Sequence, residues 1–142
     1  MPKKQLPYPE AQLQKDVGEL LTLYGWLWTH YRPARTKTGW VTAIQGSPGF
    51  PDIVAVRGDR LLFIELKGRD SLGQGGKVRK EQWDWIKALV DIDRLNEGVS
   101  CHLWEPADWE DGFIQKVLKA EGVKDGRACP GQPRRSKAAT GL

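Results

Sequence analysis

Two apolar runs near the middle of the chain carry charged residues at their ends, within the stretch GFPDIVAVRGDRLLFIELKG of residues 49–68. Asp52 stands where the first run begins, and Glu65 and Lys67 stand where the second run ends. Carboxylates grouped in this way can bind a hard divalent cation such as Mg²⁺, which prefers oxygen ligands. The same residues also fit an ordinary salt bridge between Glu65 and Lys67, with Asp52 capping the turn after Pro51. Which chemistry applies depends on how the two runs pair.

The Gly-Asp dipeptide between the runs predicts a two-residue hairpin turn, since glycine suits its first central position. With that turn Arg57 faces Arg60, and counting outward along both strands places Asp52 directly opposite Glu65. Opposed Cβ atoms in an antiparallel pair lie about 4.5–5.5 Å apart, and like charges there repel. Lys67 lies two residues beyond Glu65 and therefore on the same face. The sequence thus predicts an acidic pair that needs a positive partner.

Two further polar residues fall on apolar helical stripes. Glu10 lies three positions before Leu13, and Gln82 lies four positions before Ile86. A carboxylate in a first helical turn offsets the macrodipole, so Glu10 has this ordinary explanation beside a metal or substrate role. A buried amide needs hydrogen-bond partners, so Gln82 either bonds a loop carbonyl or reaches the carboxylate pair.

Hydrophobic periodicity and turn residues predict one α/β domain with the order α-β-β-β-α-β-α and a mixed sheet with helices on both faces. The predicted helices span residues 9–25, 79–95 and a last stretch opened by Pro106 and Asp108; the predicted strands span 26–31, 52–57, 60–67 and 99–104, with a short one at 40–44. We expect residues 1–121 to form the domain and the basic residues 122–142 to be a disordered tail.

Composition excludes several classes of protein. The chain has 142 residues, of which 28% are charged, and this is the size of one globular domain. No apolar stretch is long enough to span a bilayer, and the first residues lack the apolar core of a secretory signal. Cys101 and Cys129 fit no zinc or redox spacing, which predicts a reduced, cytoplasmic protein. The net charge of +4 weakly favours a polyanionic partner.

With these residues in view, the chain resembles the PD-(D/E)XK nuclease superfamily, and more closely its VRR-NUC branch in the stand-alone, virus-type form. The matching segments are Glu10 in the first helix, GFPD at 49–52, IELK at 64–67, EQWDWIKAL at 81–89 and WEPADWEDG at 104–112. The longer segment between Tyr31 and Gly49 departs from the shortest family members. The resemblance implies a restriction-endonuclease-like fold, Mg²⁺- or Mn²⁺-dependent phosphodiester hydrolysis, and DNA as the substrate.

The resemblance also implies roles for individual residues. The implied metal ligands are Asp52, Glu65, Glu10 and the backbone carbonyl of Leu66. Lys67 would position or deprotonate the attacking water and steady developing charge. Gln82 would support the site from the following helix.

Basic residues in two loops beside the predicted site are candidate DNA contacts, although any single one could be a solvated surface charge. They are Arg32, Arg35, Lys37, Arg69, Lys77, Arg79 and Lys80. Phosphate contacts carry little sequence information, so recognition of DNA shape is expected. His30 is either a further substrate contact or an ordinary strand histidine.

Stand-alone members of the branch are associated with cleavage of branched DNA such as four-way junctions. Two symmetric cuts need two-fold symmetry, so a homodimer in the cytoplasm of a bacterium or a phage-infected cell is implied. The open alternatives are a flap or nicking nuclease, a restriction-type nuclease, and a non-catalytic DNA-binding module of the same fold.

Overall fold

The structure is a computed structural model that describes residues 6–31, 34–36, 39–41 and 45–120. Its elements follow one another as α1 (Glu10–Leu23), β1 (Leu27–His30), β2 (Ala34–Thr36), β3 (Gly39–Val41), β4 (Ile53–Arg57), β5 (Arg60–Leu66), α2 (Lys80–Leu95), β6 (Val99–Trp104), α3 (Pro106–Glu110) and α4 (Phe113–Lys119). The expected basic tail at 122–142 lies outside the described residues.

A four-stranded mixed sheet in the order β1-β4-β5-β6 forms the centre of the molecule. Its first three strands are antiparallel, and β6 runs parallel to β5 after the α2 crossover. The β4–β5 hairpin turns at Gly58, which takes a positive φ of 59°. Arg57 pairs with Arg60 and Val54 pairs with Phe63. The predicted hairpin register is therefore confirmed.

Helices cover the two faces of the sheet, as central strands that are apolar on both sides require. One face packs against α1 and α4 through a buried cluster whose members include Leu13, Val17, Ile53, Leu62, Ile64 and Ile114. On the other face, α2 places Ile86 and Leu89 against Cys101 and Phe63. The expected α/β domain with a mixed, helix-flanked sheet is confirmed at this level.

The hairpin end of the sheet holds two arginines in spite of their like charge. Arg57 donates to the carbonyls of Tyr24 and Ala120 at 3.0 and 2.8 Å. Arg60 donates to the Ala120 carbonyl at 2.5 Å. Both guanidinium groups also lie over the ring of Trp26, at 4.6 and 5.1 Å from its centre. Helix C-termini carry partial negative charge, so these carbonyls offset the repulsion between the arginines.

The structure differs from the predicted elements in two places. The segment after β1 contains a separate two-stranded ribbon, β2–β3, where only one short strand at 40–44 was expected. The single last helix is wrong, because Gly112 adopts a φ of 82° between α3 and α4. A left-handed residue cannot continue an α-helix, and the chain turns there. Among the described helices, none has the length and apolar character needed to cross a bilayer.

Candidate active site

Asp52 and Glu65 meet at the end of the β4–β5 hairpin, as the register predicts. Asp52 directly precedes β4, and its Oδ2 accepts a hydrogen bond of 2.8 Å from the Leu66 N–H. Glu65 is 1% exposed, and its side chain lies within hydrogen-bonding reach of Asp52. Burying two carboxylates side by side is unfavourable unless a cation or a proton is shared between them. A positive charge or a retained proton at the pair would therefore offset the repulsion between the two carboxylates.

Lys67 and Gln82 complete a polar network around Glu65. Lys67 Nζ lies 3.4 Å from Glu65 Oε1 and donates to Gln82 Oε1 at 3.1 Å. Gln82 Nε2 donates to Glu65 Oε1 at 2.6 Å, and Gln82 Oε1 also accepts the Arg79 N–H at 3.0 Å. The amide thus joins α2 to the end of β5. Of the two alternatives for Gln82, the structure shows the one in which its amide reaches the carboxylate pair, and the predicted shared face of Lys67 and Glu65 is confirmed.

The carboxyl groups of this cluster have raised pKa values because they are removed from water. Burial, and then the charge of Asp52, raise the pKa of Glu65 to about 8, against the opposing effect of Lys67. Burial likewise raises the pKa of Asp52, although the Leu66 N–H and the charge of His30 oppose the shift. His30 at the end of β1 therefore lies within electrostatic range of the pair. Its direct contact with a substrate stays a prediction.

Two glycines near the carboxylate pair in the sequence let backbone segments pack closely against each other. Gly49, in the GFPD stretch, has a φ of 94°, and a Cβ there would lie 2.5 Å from the Glu81 carbonyl oxygen. A Cβ on Gly68 would overlap the backbone at Glu10 and lie 2.7 Å from the Tyr8 carbonyl oxygen. Such distances are possible only without a side chain. Gly49 allows α2 to pack against the segment before β4, and Gly68 allows the start of α1 to pack against the segment after β5.

Glu10 stands beside the pair but not on a buried stripe. It is solvent-exposed at the first position of α1, so the prediction that it faces inward is wrong. The first buried residue of α1 is Leu13, so the buried stripe begins one turn after Glu10. Partial desolvation and the charge of Asp52 still raise the pKa of Glu10, against Lys67 and Arg79. It therefore lies in the same electrostatic environment.

The basic residues predicted to contact DNA differ in their exposure and in their contacts within the chain. Lys77, Arg79 and Lys80 are exposed on the segment leading into α2. Arg69 is not available in the same way: its guanidinium donates to both carboxylate oxygens of Glu110 at 2.5 and 2.7 Å. Its Nε also donates to the Leu6 carbonyl at 2.9 Å. These bonds hold the chain segments together, and contact of Arg69 with DNA stays a prediction.

The remaining predicted DNA contacts belong to the segment after β1. Arg35 lies in β2, opposite Trp40 of β3 in the ribbon register. Arg32 and Lys37 lie outside the described residues. Their contact with DNA stays a prediction.

An aromatic cluster beside the carboxylates was not predicted. Phe50 lies edge-on to Tyr31, Phe63 and Trp85, with ring centres 5.6, 6.1 and 5.0 Å away. Trp85 also donates its Nε1–H to the Pro48 carbonyl at 3.0 Å. One signal was present in the sequence: Phe50 lies two residues before Asp52 and Phe63 two before Glu65, which places all four on one face.

The donor chemistry fits a hard divalent cation, although the site is small. In the described part of the chain, no group of three or more His, Cys, Asp and Glu side chains is arranged to hold a metal ion. The structure brings together two carboxylates, Asp52 and Glu65, with the Leu66 backbone beside them. Burial is the largest cause of their raised pKa values, and a nearby positive charge would oppose that shift. Ligation by Glu10 and by the Leu66 carbonyl stays a prediction.

Comparisons of this chain with protein-family models, with curated proteins and with solved structures found no match. The case for its function therefore rests on the residues of the site.

Proposed function

We propose that this chain is a metal-dependent DNA endonuclease of the restriction-endonuclease-like fold, of the PD-(D/E)XK superfamily and its VRR-NUC branch. The observation that carries the proposal is the pair of half-buried Asp52 and buried Glu65, with Lys67 and Gln82 bonded around Glu65. An ordinary salt bridge needs one acid and one base. Here two acids share one lysine, and both have raised pKa values. A site that only stabilised the fold would gain by replacing one acid with a neutral group.

Mg²⁺ or Mn²⁺ would be held by Asp52 and Glu65, with Glu10 and the Leu66 carbonyl as further candidate ligands. Such an ion, when bound, polarises a phosphate oxygen and lowers the pKa of a water molecule. Lys67 has its Nζ 3.4 Å from Glu65, and this charge would stabilise the negative charge that develops on the phosphate. Gln82 fixes the orientation of Glu65 and Lys67 through its two hydrogen bonds.

The surroundings of the site support a polyanionic substrate. The N-terminal end of α2, with its partial positive charge, lies at Gln82 and therefore beside the pair. Lys77, Arg79 and Lys80 are exposed around it. Contacts of this kind recognise the shape of DNA rather than its base sequence. We propose branched DNA such as four-way junctions as the substrate, cut by a homodimer in the cytoplasm of a bacterial or phage-infected cell.

Cleavage of linear, flapped and four-way DNA with Mg²⁺, in parallel with EDTA, tests the activity. We expect cutting that needs the metal ion and that Lys67→Ala lowers by about 100-fold or more, as loss of one preorganised electrostatic contact does. Lys87→Ala is the matched control, because Lys87 is an exposed lysine of α2 with no part in the network. It should cut as the unmodified chain does.

The pattern of failure separates the alternatives. Undiminished cutting by Lys67→Ala would remove the proposed active site. Binding of all three substrates with no cutting would favour a non-catalytic DNA-binding module. Cutting of flapped DNA alone, by a chain that stays monomeric on DNA, would replace the junction substrate by a flap or nicking nuclease.

A further inference from the structure

Tyr31 continues the row of the two carboxylates across the sheet. Its backbone N–H donates to the Asp52 carbonyl at 3.1 Å, one step beyond the His30–Ile53 pair of the β1–β4 ladder. Asp52 in turn stands opposite Glu65. Adjacent strands lie about 4.8 Å apart, so Tyr31 is the immediate neighbour of Asp52 on the side away from Glu65.

The ring of Tyr31 is both exposed and supported. Tyr31 is 58% exposed, which is unusual for an aromatic residue next to a buried cluster. Its ring stands edge-on to Phe50 at 5.6 Å between centres. Phe50 is held in turn by Phe63 and Trp85 at 6.1 and 5.0 Å. The exposed ring is therefore the outer end of a packed aromatic series that starts in the core beneath α2.

The chain around Tyr31 is positively charged. Residues 32–51 contain three cations, at positions 32, 35 and 37, and no aspartate or glutamate. A partner that contacts this aromatic ring would offer an apolar flat surface, and the cations that follow Tyr31 in the sequence favour a negatively charged partner. A nucleotide has both features, because its base has a π-face and its phosphate is anionic.

We infer that Tyr31 is a stacking platform for an unpaired nucleobase of the DNA, placed one strand away from the carboxylates that act on the phosphate. The inference rests on the proposed function and deepens it, because it names what the substrate must offer. A base inside an intact duplex is covered by its neighbours on both sides. The substrate must therefore present an unstacked base beside the scissile phosphate, as a flap or a branch point does.

Fluorescence of 2-aminopurine tests the stack without cleavage. The Lys67→Ala protein is mixed, in EDTA, with flapped or four-way DNA that carries 2-aminopurine at each of the nucleotides around the branch in turn. We expect quenching at one position, because an aromatic ring stacks on the reporter base there. Adding Tyr31→Leu should remove the quenching and weaken binding at least about fivefold, since a base–aromatic stack contributes about 1–3 kcal/mol. Tyr31→Phe should retain both.

Leu27→Ala is the matched control. Leu27 is 78% exposed and begins β1, four residues before Tyr31 and therefore on the same face, so its replacement should leave quenching and affinity unchanged. Quenching that persists in Tyr31→Leu, or an affinity equal to that of Lys67→Ala alone, overturns the stacking role. A chain that binds no DNA overturns both proposals. Quenching that depends on Tyr31, without metal-dependent cutting by the unmodified chain, would support the stacking role and refute the proposed nuclease activity.

Discussion

Replacing Glu65 by glutamine tests the carboxylate pair through the pH dependence of stability. Glutamine has nearly the same shape, and its carbonyl oxygen can still accept the Gln82 amide that Glu65 Oε1 accepts at 2.6 Å. The substitution therefore removes the titration and leaves the packing in place. The free energy of unfolding is measured without metal, in EDTA, for the unmodified chain and for Glu65→Gln.

The size of the effect follows from the pKa of Glu65, which rises from 4.5 to about 8 in the folded chain. Between these values the folded chain keeps a proton that the unfolded chain has released, so the free energy of unfolding falls as the pH rises. One proton gives a slope of about 1.4 kcal/mol per pH unit. From about pH 5.5 to about pH 7.5, the unmodified chain should lose about 2–3 kcal/mol more than Glu65→Gln.

Urea unfolding followed by tryptophan fluorescence measures this difference, since the chain has seven tryptophans. Glu110→Gln is the control: the pKa of Glu110 is lowered by Arg69, so its contribution is complete above its ordinary pKa and adds no slope in this window. Mg²⁺ should restore part of the stability of the unmodified chain at the upper pH and leave Glu65→Gln unchanged. Equal slopes for the unmodified chain and Glu65→Gln would refute the buried carboxylate pair.

Two further predictions concern the segments that hold the site and the hairpin. Gly68→Ala should lower the free energy of unfolding by about 1–3 kcal/mol, because its Cβ would overlap the start of α1 and the backbone must shift. Gly75→Ala has its nearest contact at 3.8 Å and should be tolerated, so equal losses in the two variants would contradict the close approach. Arg60→Met should lower the free energy of unfolding in urea by about 1–3 kcal/mol, because it leaves the buried Val117 carbonyl without its donor and removes one of the two guanidinium groups over Trp26; an unchanged midpoint would contradict that role.

The hairpin and its acidic pair could be predicted because they depend on short-range features. A two-residue turn sets the register of the strands it joins, and the positions of Asp52 and Glu65 follow by counting. The position of Gln82 followed from helical periodicity, since its stripe also carries Ile86 and Leu89. These predictions needed no knowledge of which distant segments meet.

The parts that could not be predicted depend on contacts between distant segments. Arg69 meets Glu110 although 41 residues separate them, and nothing in the local sequence distinguishes it from an exposed arginine. Glu10 has the spacing of a buried residue, but a helical stripe does not show where the sheet beneath the helix ends. The break at Gly112 was visible as a glycine. Its φ of 82° was not, because glycine also occurs within helices.

The two arginines at the hairpin end of the sheet, Arg57 and Arg60, have a practical consequence for labelling the protein. The Ala120 carbonyl accepts hydrogen bonds from Arg57 and Arg60. The five residues of β4 place Arg57 about 17 Å from Asp52 along the strand. Tyr8, by contrast, is hydrogen-bonded through its backbone to Arg69, three residues after the end of β5. A fluorophore coupled at position 120 would therefore lie at the end of the sheet remote from the carboxylate pair. One coupled at position 6, whose carbonyl accepts a hydrogen bond from Arg69, would lie on the side of the molecule that carries the pair.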